Sequence, residues 1–576
     1  MNNVDIARVF SEIADILEIK GKNPFRVRSY RQAARTLFDL TQPLKKMVKQ
    51  GEDLTKLSGI GKSHAEKIEE IVKTGKSTRL EELRKDFPEA LTELMSVPGL
   101  GPKKVALLYR ELGVESLEDL EQALRAQRIR DLEGMGQKTE ENIAKGLETL
   151  QGAAGRISIK EAEDRLADIG AHLDEIKEIE QWRGAGSLRR AKETIGDLDV
   201  LVVARNRNKA IKRILEYDQI DEVLAQGNEK VFVTLKNGLE VDFRFFEQSA
   251  FGAALMYFTG SKAHNVELRK LAQKKGWKLN EYGVFDGDKK LAGQDEKAVY
   301  EKCGLQWVPP ELRENRGEIE AARKGGLPAL IAQSDLKGDL HAHTDASDGT
   351  ATIEEMVAAA RKRAYAYLAI TDHSQAVRVT QGLDEKRLAR HAEAIRKVDL
   401  CYDDIWVLAG IEVDILRDGS LDLSFGALKT LDWVIASVHS YFGLPKKDMT
   451  RRLIKAIDSG VVHCLGHPLG RMIGSRDPID FDVDKVFDAC RKNNVYLEIN
   501  AHPQRLDLPP SHCRQAKDKG VKMVINTDAH KVRSLDLIRY GVGVARRGWL
   551  EKKDVINTVG AKKLKNLLQK TRTKNG

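Results

Sequence analysis

The chain has 576 residues, 41% of them hydrophobic and 32% charged, with a formal net charge of +9; that length exceeds one ordinary core and implies roughly three to five domains. The proportions fit a soluble globular protein, and the basic balance favours a polyanionic partner without identifying it. Five scattered cysteines, Cys303, Cys401, Cys464, Cys490 and Cys513, form no CxxC pair, which argues against a disulfide framework or thiolate zinc site and for a reducing, cytoplasmic compartment. No apolar run approaches the roughly twenty residues of a membrane span. The opening "MNNVDIARVFSEIADILEI" carries acids throughout, unlike an export signal.

Residues 1 to about 150 read as helical, with Val9, Ile13, Ile16 and Leu17 spaced for one helical face. The region repeats itself: "LSGIGKSHAEKI" from Leu57, "SVPGLGPKKVALL" from Ser96 and "LEGMGQKTEENI" from Leu132 each set a G-x-G turn between apolar helix ends. Such glycines allow tight turning and bring main-chain N–H groups at a helix N-terminus close to a phosphate. The three repeats resemble helix-hairpin-helix DNA-binding motifs, which grip the sugar-phosphate backbone without reading sequence. On that resemblance Gly59, Gly61, Lys62, Gly99, Gly101, Lys103 and Lys104 are expected to touch DNA. For the third, acidic repeat a purely structural hairpin is equally open.

From about residue 153 the pattern turns to α/β. In "GSLRRAKETIGDLDVLVV" from Gly186, Asp197 and Asp199 stand one residue apart at the mouth of an apolar run, so in a strand both carboxylates share a face. Paired anions repel unless a cation lies between them, and the Gly-Ser turn and two arginines upstream fit an anionic ligand beside that cation. "VFVTLKNGLEVDFRFF" reads as two strands joined at Asn237-Gly238, the second delivering Asp242. Asp197, Asp199 and Asp242 can thus form a three-carboxylate cluster for two Mg²⁺ ions in phosphoryl transfer; strand-edge charges are the bland alternative. A helical segment runs to about residue 316, and "VPPELRENRGEIEAARKGGLPA" reads as a connector.

After the connector, six apolar runs end in ligand-type residues: His341, His343 and Asp348; Asp372 and His373; Glu412; His439; His467; Asp528 and His530. Strand after strand ending in a ligand is the geometry of a parallel barrel with its site at the C-terminal rim. His64, His172, His391 and His512 read as ordinary residues, and His463 and His502 are unassigned.

The stretch from Gly186 with "VDFRF" and "YFTGSKAHNVELR" from Tyr257 resembles the palm and thumb of family X DNA polymerases, the group that includes DNA polymerase beta. The resemblance implies Asp197, Asp199 and Asp242 as catalytic ligands of Mg²⁺ or Mn²⁺, with Ser187, Arg190 and Gly196 holding the incoming triphosphate. It further implies Tyr257, Phe258 and Gly260 at the sugar, Asn265 at the nascent pair and Arg269 at the template. Ile195 replaces a polar triphosphate contact. Lys67 falls where some relatives carry a Schiff-base lysine that removes 5′-deoxyribose phosphate and Tyr30 where a supporting tyrosine sits, while Ser63 takes the place of a second lysine.

Residues 336–570 resemble the PHP (polymerase and histidinol phosphatase) domain, a distorted (β/α)7 barrel with a trinuclear metal centre. That implies His341, His343, Glu412 and Asp528 on one ion; Glu412, His439 and His467 on a second; Asp348, His373 and His530 on a third. Mn²⁺, Zn²⁺ and Fe²⁺ all suit mixed imidazole and carboxylate ligation.

The expected organisation is a helix-hairpin-helix domain over 1–82, a fingers-like helix-hairpin-helix domain over 83–152, an α+β nucleotidyltransferase palm over 153–247, a thumb over 248–316, a linker over 317–335 and the barrel over 336–570. The expected function is gap filling in DNA repair with a 3′-5′ exonuclease in the barrel. Gapped or primed DNA and deoxynucleoside triphosphates are the partners, and the protein is monomeric, nucleoid-associated and prokaryotic. The alternatives are a phosphatase or endonuclease that the polymerase half merely recruits to DNA, and a non-catalytic gap binder.

Overall fold

A computed structural model describes residues 3–20, 23–38, 44–57, 59–85, 91, 94, 97, 100–153, 156–377 and 380–574. The chain divides into two compact units, Met1–Ala154 and Gly155–Gly576. Among the described residues no helix is long and apolar enough to cross a membrane.

The first unit is helical. Helix Asn3–Ile19 buries Phe10, Ile13, Ile16 and Leu17 against helix Pro24–Phe38, as the i, i+3, i+4 spacing demands. The three G-x-G turns are built alike. Ile60 N–H donates to the Leu57 carbonyl at 3.0 Å, Leu100 N–H to Val97 at 2.9 Å and Met135 N–H to Leu132 at 2.9 Å. The first glycine is left-handed where described, φ +77° at Gly59 and +78° at Gly134, a conformation that penalises any Cβ; Gly99 lies outside the described residues. The carbonyl of the second glycine then opens a helix, accepting from His64 and Ala65 at Gly61, from Lys104 and Val105 at Gly101, and from Thr139 and Glu140 at Gly136.

The second unit opens with β1 (Ile157–Ser158), β2 (Ile179–Gly184), β3 (Thr194–Ile195), β4 (Asp197–Ala204), β5 (Ile220–Gln226), β6 (Lys230–Leu235) and β7 (Glu240–Phe245). Five of these form one sheet in the order β2-β4-β7-β6-β5, and β1 pairs with β3 alone. The β6-β7 hairpin turns at Asn237-Gly238, where Gly238 has φ +80° and donates to the Leu235 carbonyl at 2.8 Å. Helices Phe251–Thr259 and Lys262–Gln273 follow, then a small antiparallel sheet of β8 (Lys278–Asn280), β9 (Gly283–Asp286) and β10 (Lys289–Ala292). Glu296 clamps this region to the palm. It accepts from Arg189 at 2.7 and 2.8 Å and from the fully buried Arg313 at 2.8 Å, and burial notwithstanding, the two guanidinium groups hold its carboxyl down at about 2. Removing one partner of such a buried cluster costs about 3–5 kcal/mol.

The remainder is a parallel barrel. β11 (Gly338–Ala342), β12 (Tyr367–Ile370), β13 (Trp406–Asp414), β14 (Trp433–Ser437), β15 (Cys464–Leu465), β16 (Tyr496–Asn500) and β17 (Met523–Asn526) lie in sequence order. A parallel bridge between Ala342 and Ala529 brings the last strand back to the first. Successive strand residues face opposite ways, so Tyr367, Ala369, Leu408, Trp433, Ile435, Tyr496 and Val524 fill one cluster while Leu368, Val407, Val434, Leu497 and Ile525 pack in another. Continued by twos toward the C-terminal ends, the first set becomes His373, Glu412, His439, Glu498 and Asp528. The face that fills the barrel floor therefore carries polar ligands at its rim.

Candidate active sites

On the palm, β4 and β7 run parallel with Asp199 opposite Asp242, which sets those carboxylates on neighbouring strands beside Asp197. Burial, then Asp197 and Asp242, pushes the Asp199 carboxyl up to about 7: three anions converge with too little positive charge among them. Arg244 donates to Asp242 Oδ2 at 2.8 Å and Lys230 stands 3.3 Å from the same oxygen, while Asp242 Oδ1 is buried without a partner. An orphaned carboxylate oxygen beside the raised Asp199 carboxyl fits divalent cations with oxygen ligands. Sequence reasoning missed one support. A Cβ on Gly186, whose φ is +61°, would sit 2.2 Å from Asp199 Oδ2, so only glycine lets this turn approach the carboxylate.

Around the triad, Ser187 Oγ is buried without a partner. Arg190 donates to Glu314 Oε1 at 3.1 Å and to the Thr259 carbonyl. A Cβ on Gly196 would come within 2.9 Å of Arg156 Nη1. The Tyr257 and Phe258 rings meet edge to face at 5.3 Å, Gly260 caps their helix with φ +64°, and Arg244 lies over the Phe258 ring at 4.5 Å. Asn265 donates to the Tyr257 carbonyl at 2.6 Å, leaving its Oδ1 buried and unpartnered; Arg269 is half-buried on the same helix.

At the barrel rim the nine expected ligands converge. Their donor atoms close into overlapping groups in which all atoms lie within 4.8 Å: His343, Asp348, His373 and His530; His341, His343 and Asp528; His373, Glu412 and His439. His467 joins through Nε2, 2.9 Å from Glu412 Oε1. The three sets expected from the family thus overlap here at His343, whose Nδ1 is 3.7 Å from Asp348 and Nε2 3.1 Å from Asp528, and at His373, 2.9 Å from Glu412.

These residues fit metal ions. His341 Nε2, both His343 nitrogens, His373 Nδ1, Glu412 Oε2, His439 Nδ1 and His467 Nδ1 are buried without a hydrogen bond of proper geometry, even where two of them approach to 2.9 Å, as His373 Nδ1 and Glu412 Oε2 do. A protein interior does not tolerate such a density of unsatisfied ligand atoms uncompensated. Burial, with His530 and His373 beside it, pushes His343 down to about 4, and burial with Arg505 nearby does the same to His467. At His341, His373, His439 and His530 burial is outweighed by the carboxylates alongside, which push the imidazole up, a positive charge that a bound cation would supply in place of the proton. Neutral imidazoles are the form that ligates.

A second layer of side chains, which the sequence reading did not assign, orients the ligands. Glu498, fully buried in the middle of β16, accepts from His341 Nδ1, the His467 N–H and Asn526, each at 2.7–2.9 Å, and Asn500, at the strand's end, donates to Asp528 Oδ2 at 3.1 Å. Asp372, one residue before a ligand, instead accepts from Thr344, Ser347 and His391; His391, read as ordinary, is its half-buried brace. The signal was present for Glu498, since "VYLEIN" is a seventh apolar run ending in polar residues.

In the first unit, Lys62 opens the helix after Gly61, and Lys103 is exposed and Lys104 half-buried on the helix after Gly101. Lys67 donates to Ser63 Oγ at 2.8 Å and to the Ser63 carbonyl at 3.0 Å. Tyr30 is buried against the His64 ring at 4.8 Å and Phe10 at 5.6 Å, and His64 Nδ1 lies 3.4 Å from the Gly59 carbonyl, so this histidine braces the first turn. In the third repeat the buried Glu140 accepts from Arg130 at 2.7 Å.

Comparison with known proteins agrees with this architecture. Family models match for a helix-hairpin-helix domain over 1–77, a SAM-like helix-hairpin-helix tandem over 91–149, a DNA polymerase beta thumb over 254–314 and a PHP domain over 339–502. The chain is 40% identical over 574 residues to the DNA polymerase/3′-5′ exonuclease PolX of Bacillus subtilis, covering 99% of this chain and 100% of that one. It is 26% identical to DNA polymerase lambda of Arabidopsis thaliana over 54% of this chain and 62% of the other, and 29% identical to a probable phosphatase of Thermoanaerobacter over 41% and 96%. With helix-hairpin-helix repeats, a polymerase palm and thumb and a seven-stranded PHP barrel in one polypeptide, the chain belongs to the PolX family of family X DNA polymerases.

Proposed function

We propose that the protein is a DNA-directed DNA polymerase that fills short gaps in repair and trims 3′ ends with a 3′-5′ exonuclease in its barrel. The observation that carries the polymerase reading is the register of Asp199 against Asp242 with Asp197 alongside. Mg²⁺ or Mn²⁺ held by these carboxylates would supply charge stabilisation for an in-line phosphoryl transfer. The chain's own groups do the positioning. Ser187, with its unpartnered hydroxyl, Arg190 and Gly196 hold the triphosphate; Tyr257, Phe258 and Gly260 pack on the sugar; the free Asn265 oxygen and Arg269 meet the nascent pair and template.

At the barrel rim His341, His343, Asp348, His373, Glu412, His439, His467, Asp528 and His530 would hold up to three ions of Mn²⁺, Zn²⁺ or Fe²⁺, which supply an activated water and neutralise phosphoryl oxygens. Glu498 fixes the His341 ring by binding Nδ1, leaving Nε2 turned toward Glu412 and Asp528, 3.5 and 3.6 Å away. Gly59, Gly61, Gly99, Gly101, Lys62, Lys103 and Lys104 grip backbone beside the break, and we assign Lys67 as the candidate lyase lysine. The free thiols fit a reducing cytoplasm, and we take the protein as a nucleoid-associated monomer.

Primer extension on a gapped duplex with Mg²⁺ and with Mn²⁺ tests the reading against a recruited phosphatase or a passive gap binder. Template-directed extension, faster on the short gap than on a simple primed template, is expected; no extension with either ion overturns it.

A further inference from the structure

The loop proposed to hold the triphosphate does not stand on the palm alone. Its Leu188 and Ala191 pack against the core of the barrel. Helix Ile538–Arg547 of the barrel approaches so closely that a Cβ on Gly543 would lie 3.2 Å from Ala191 Cβ. At the end of that helix Arg547, its side chain only 5% exposed, donates to the Arg190 carbonyl at 2.6 Å and to Glu314 Oε1 at 3.1 Å. The same Glu314 oxygen accepts from Arg190 Nε at 3.1 Å. Three residues beyond Arg190, Glu193 is gripped by both terminal nitrogens of Arg471, at 2.8 and 3.1 Å, and Arg471 also donates to the Leu506 carbonyl inside the barrel domain.

We propose that Arg547, a residue of the nuclease barrel, is a positioning residue for the polymerase reaction: it fixes Arg190, and through it the affinity for the incoming nucleotide. The physical reason is the count of constraints. Arg190 is tethered at its carbonyl by Arg547 and at Nε by a carboxylate that Arg547 itself holds, so one guanidinium fixes the backbone and the anchor of the triphosphate residue together. Without it Glu314 keeps only Arg190 and the half-exposed Lys192, 3.7 Å away, and would neutralise Arg190 rather than present it. The barrel metal ligands take no part in this contact, so the effect falls on nucleotide binding and spares the nuclease. The inference rests on the reading of Arg190 as a triphosphate residue.

The test uses the full-length protein and the variants Arg547→Ala, Arg547→Lys and Arg190→Ala. Nucleotide Kd is titrated with a non-hydrolysable dNTP on gapped DNA whose primer ends in a phosphorothioate; KM, kcat, exonuclease rate and melting temperature are measured alongside. Loss of charge-assisted hydrogen bonds of this kind predicts a rise of roughly tenfold or more in Kd and KM for Arg547→Ala, with kcat and exonuclease rate within about twofold of wild type. Arg547→Lys should fall between, because both bonds leave one nitrogen, Nη1, and an ammonium can still donate to both acceptors but on a shorter stem that does not reach the guanidinium's position. An unchanged Kd in Arg547→Ala, with Arg190→Ala raising it, overturns the inference and leaves the reading of Arg190 intact. An unchanged Kd in Arg190→Ala overturns that reading itself. If Arg547→Ala loses melting temperature and exonuclease together, Arg547→Lys decides: a weakened Kd at unchanged exonuclease rate supports the inference, and a wild-type Kd contradicts it.

Discussion

The palm and the barrel solve the same problem, holding cations against a phosphate, with opposite materials. The palm offers three carboxylates from two neighbouring parallel strands and no imidazole, and burial, then Asp197 and Asp242, pushes its Asp199 carboxyl up to about 7. The barrel offers six histidines and three carboxylates from six strand ends, six of the nine buried and three half-buried, braced behind by Glu498 and Asn500. Oxygen-only sites suit hard ions that exchange readily and arrive with a triphosphate, whereas mixed nitrogen and oxygen cages suit borderline ions that stay. On the proposed reading, the first site would be completed by its substrate and the second built before the substrate comes.

That contrast can be broken at points of graded size. Gly186→Ala forces a Cβ to within 2.2 Å of Asp199 Oδ2 at a left-handed φ. A displacement of about 1 Å in a reacting constellation costs roughly a hundredfold, so single-turnover nucleotide addition should fall by about that factor while exonuclease is unchanged; equal loss of both would mean the palm turn serves the whole molecule. Glu498→Gln removes the anion that orients His341 and should weaken barrel metal retention roughly tenfold, read as metal content after dialysis against a graded chelator series. Unaltered retention would reduce Glu498 to a packing role. The smallest effect belongs to the hairpins: Lys62→Ala or Lys103→Ala should each lower the slope of log Kd for gapped DNA against log salt by about 1, and an unaltered slope would remove that lysine from the phosphate contacts.

Much of this was legible in residues one at a time. The Asn237-Gly238 turn, the alternation on either side of it and the runs ending in His341, Glu412, His439 and His467 are local signals, and local geometry delivers them. What was not legible is what depends on pairing between distant segments. Nothing in "GDLDVLV" says that Asp199 will face Asp242 across a parallel ladder; the family resemblance supplied that link. His391 lies 19 residues from the Asp372 it braces, and Arg547 lies 357 residues from the Arg190 carbonyl it holds. Such contacts carry no periodicity, because they are set by how separate elements, or in the case of Arg547 separate domains, pack in three dimensions. The third G-x-G repeat, ambiguous in sequence, has the same turn as the first two and an exposed Lys138 at the position of Lys103, but it also sets an Arg130–Glu140 pair beside the turn.

The central claim is that one polypeptide carries two metal centres with separate chemistries. A single gapped duplex, labelled at the primer 5′ end, tests it with Asp242→Ala and His343→Ala side by side, reading extension and 3′ degradation in the same lanes. Asp242→Ala should lose nucleotide addition by several orders of magnitude and keep degradation, and His343→Ala should do the reverse. If either substitution eliminates both activities in a protein that stays folded and binds the duplex, one centre serves both reactions and the account fails.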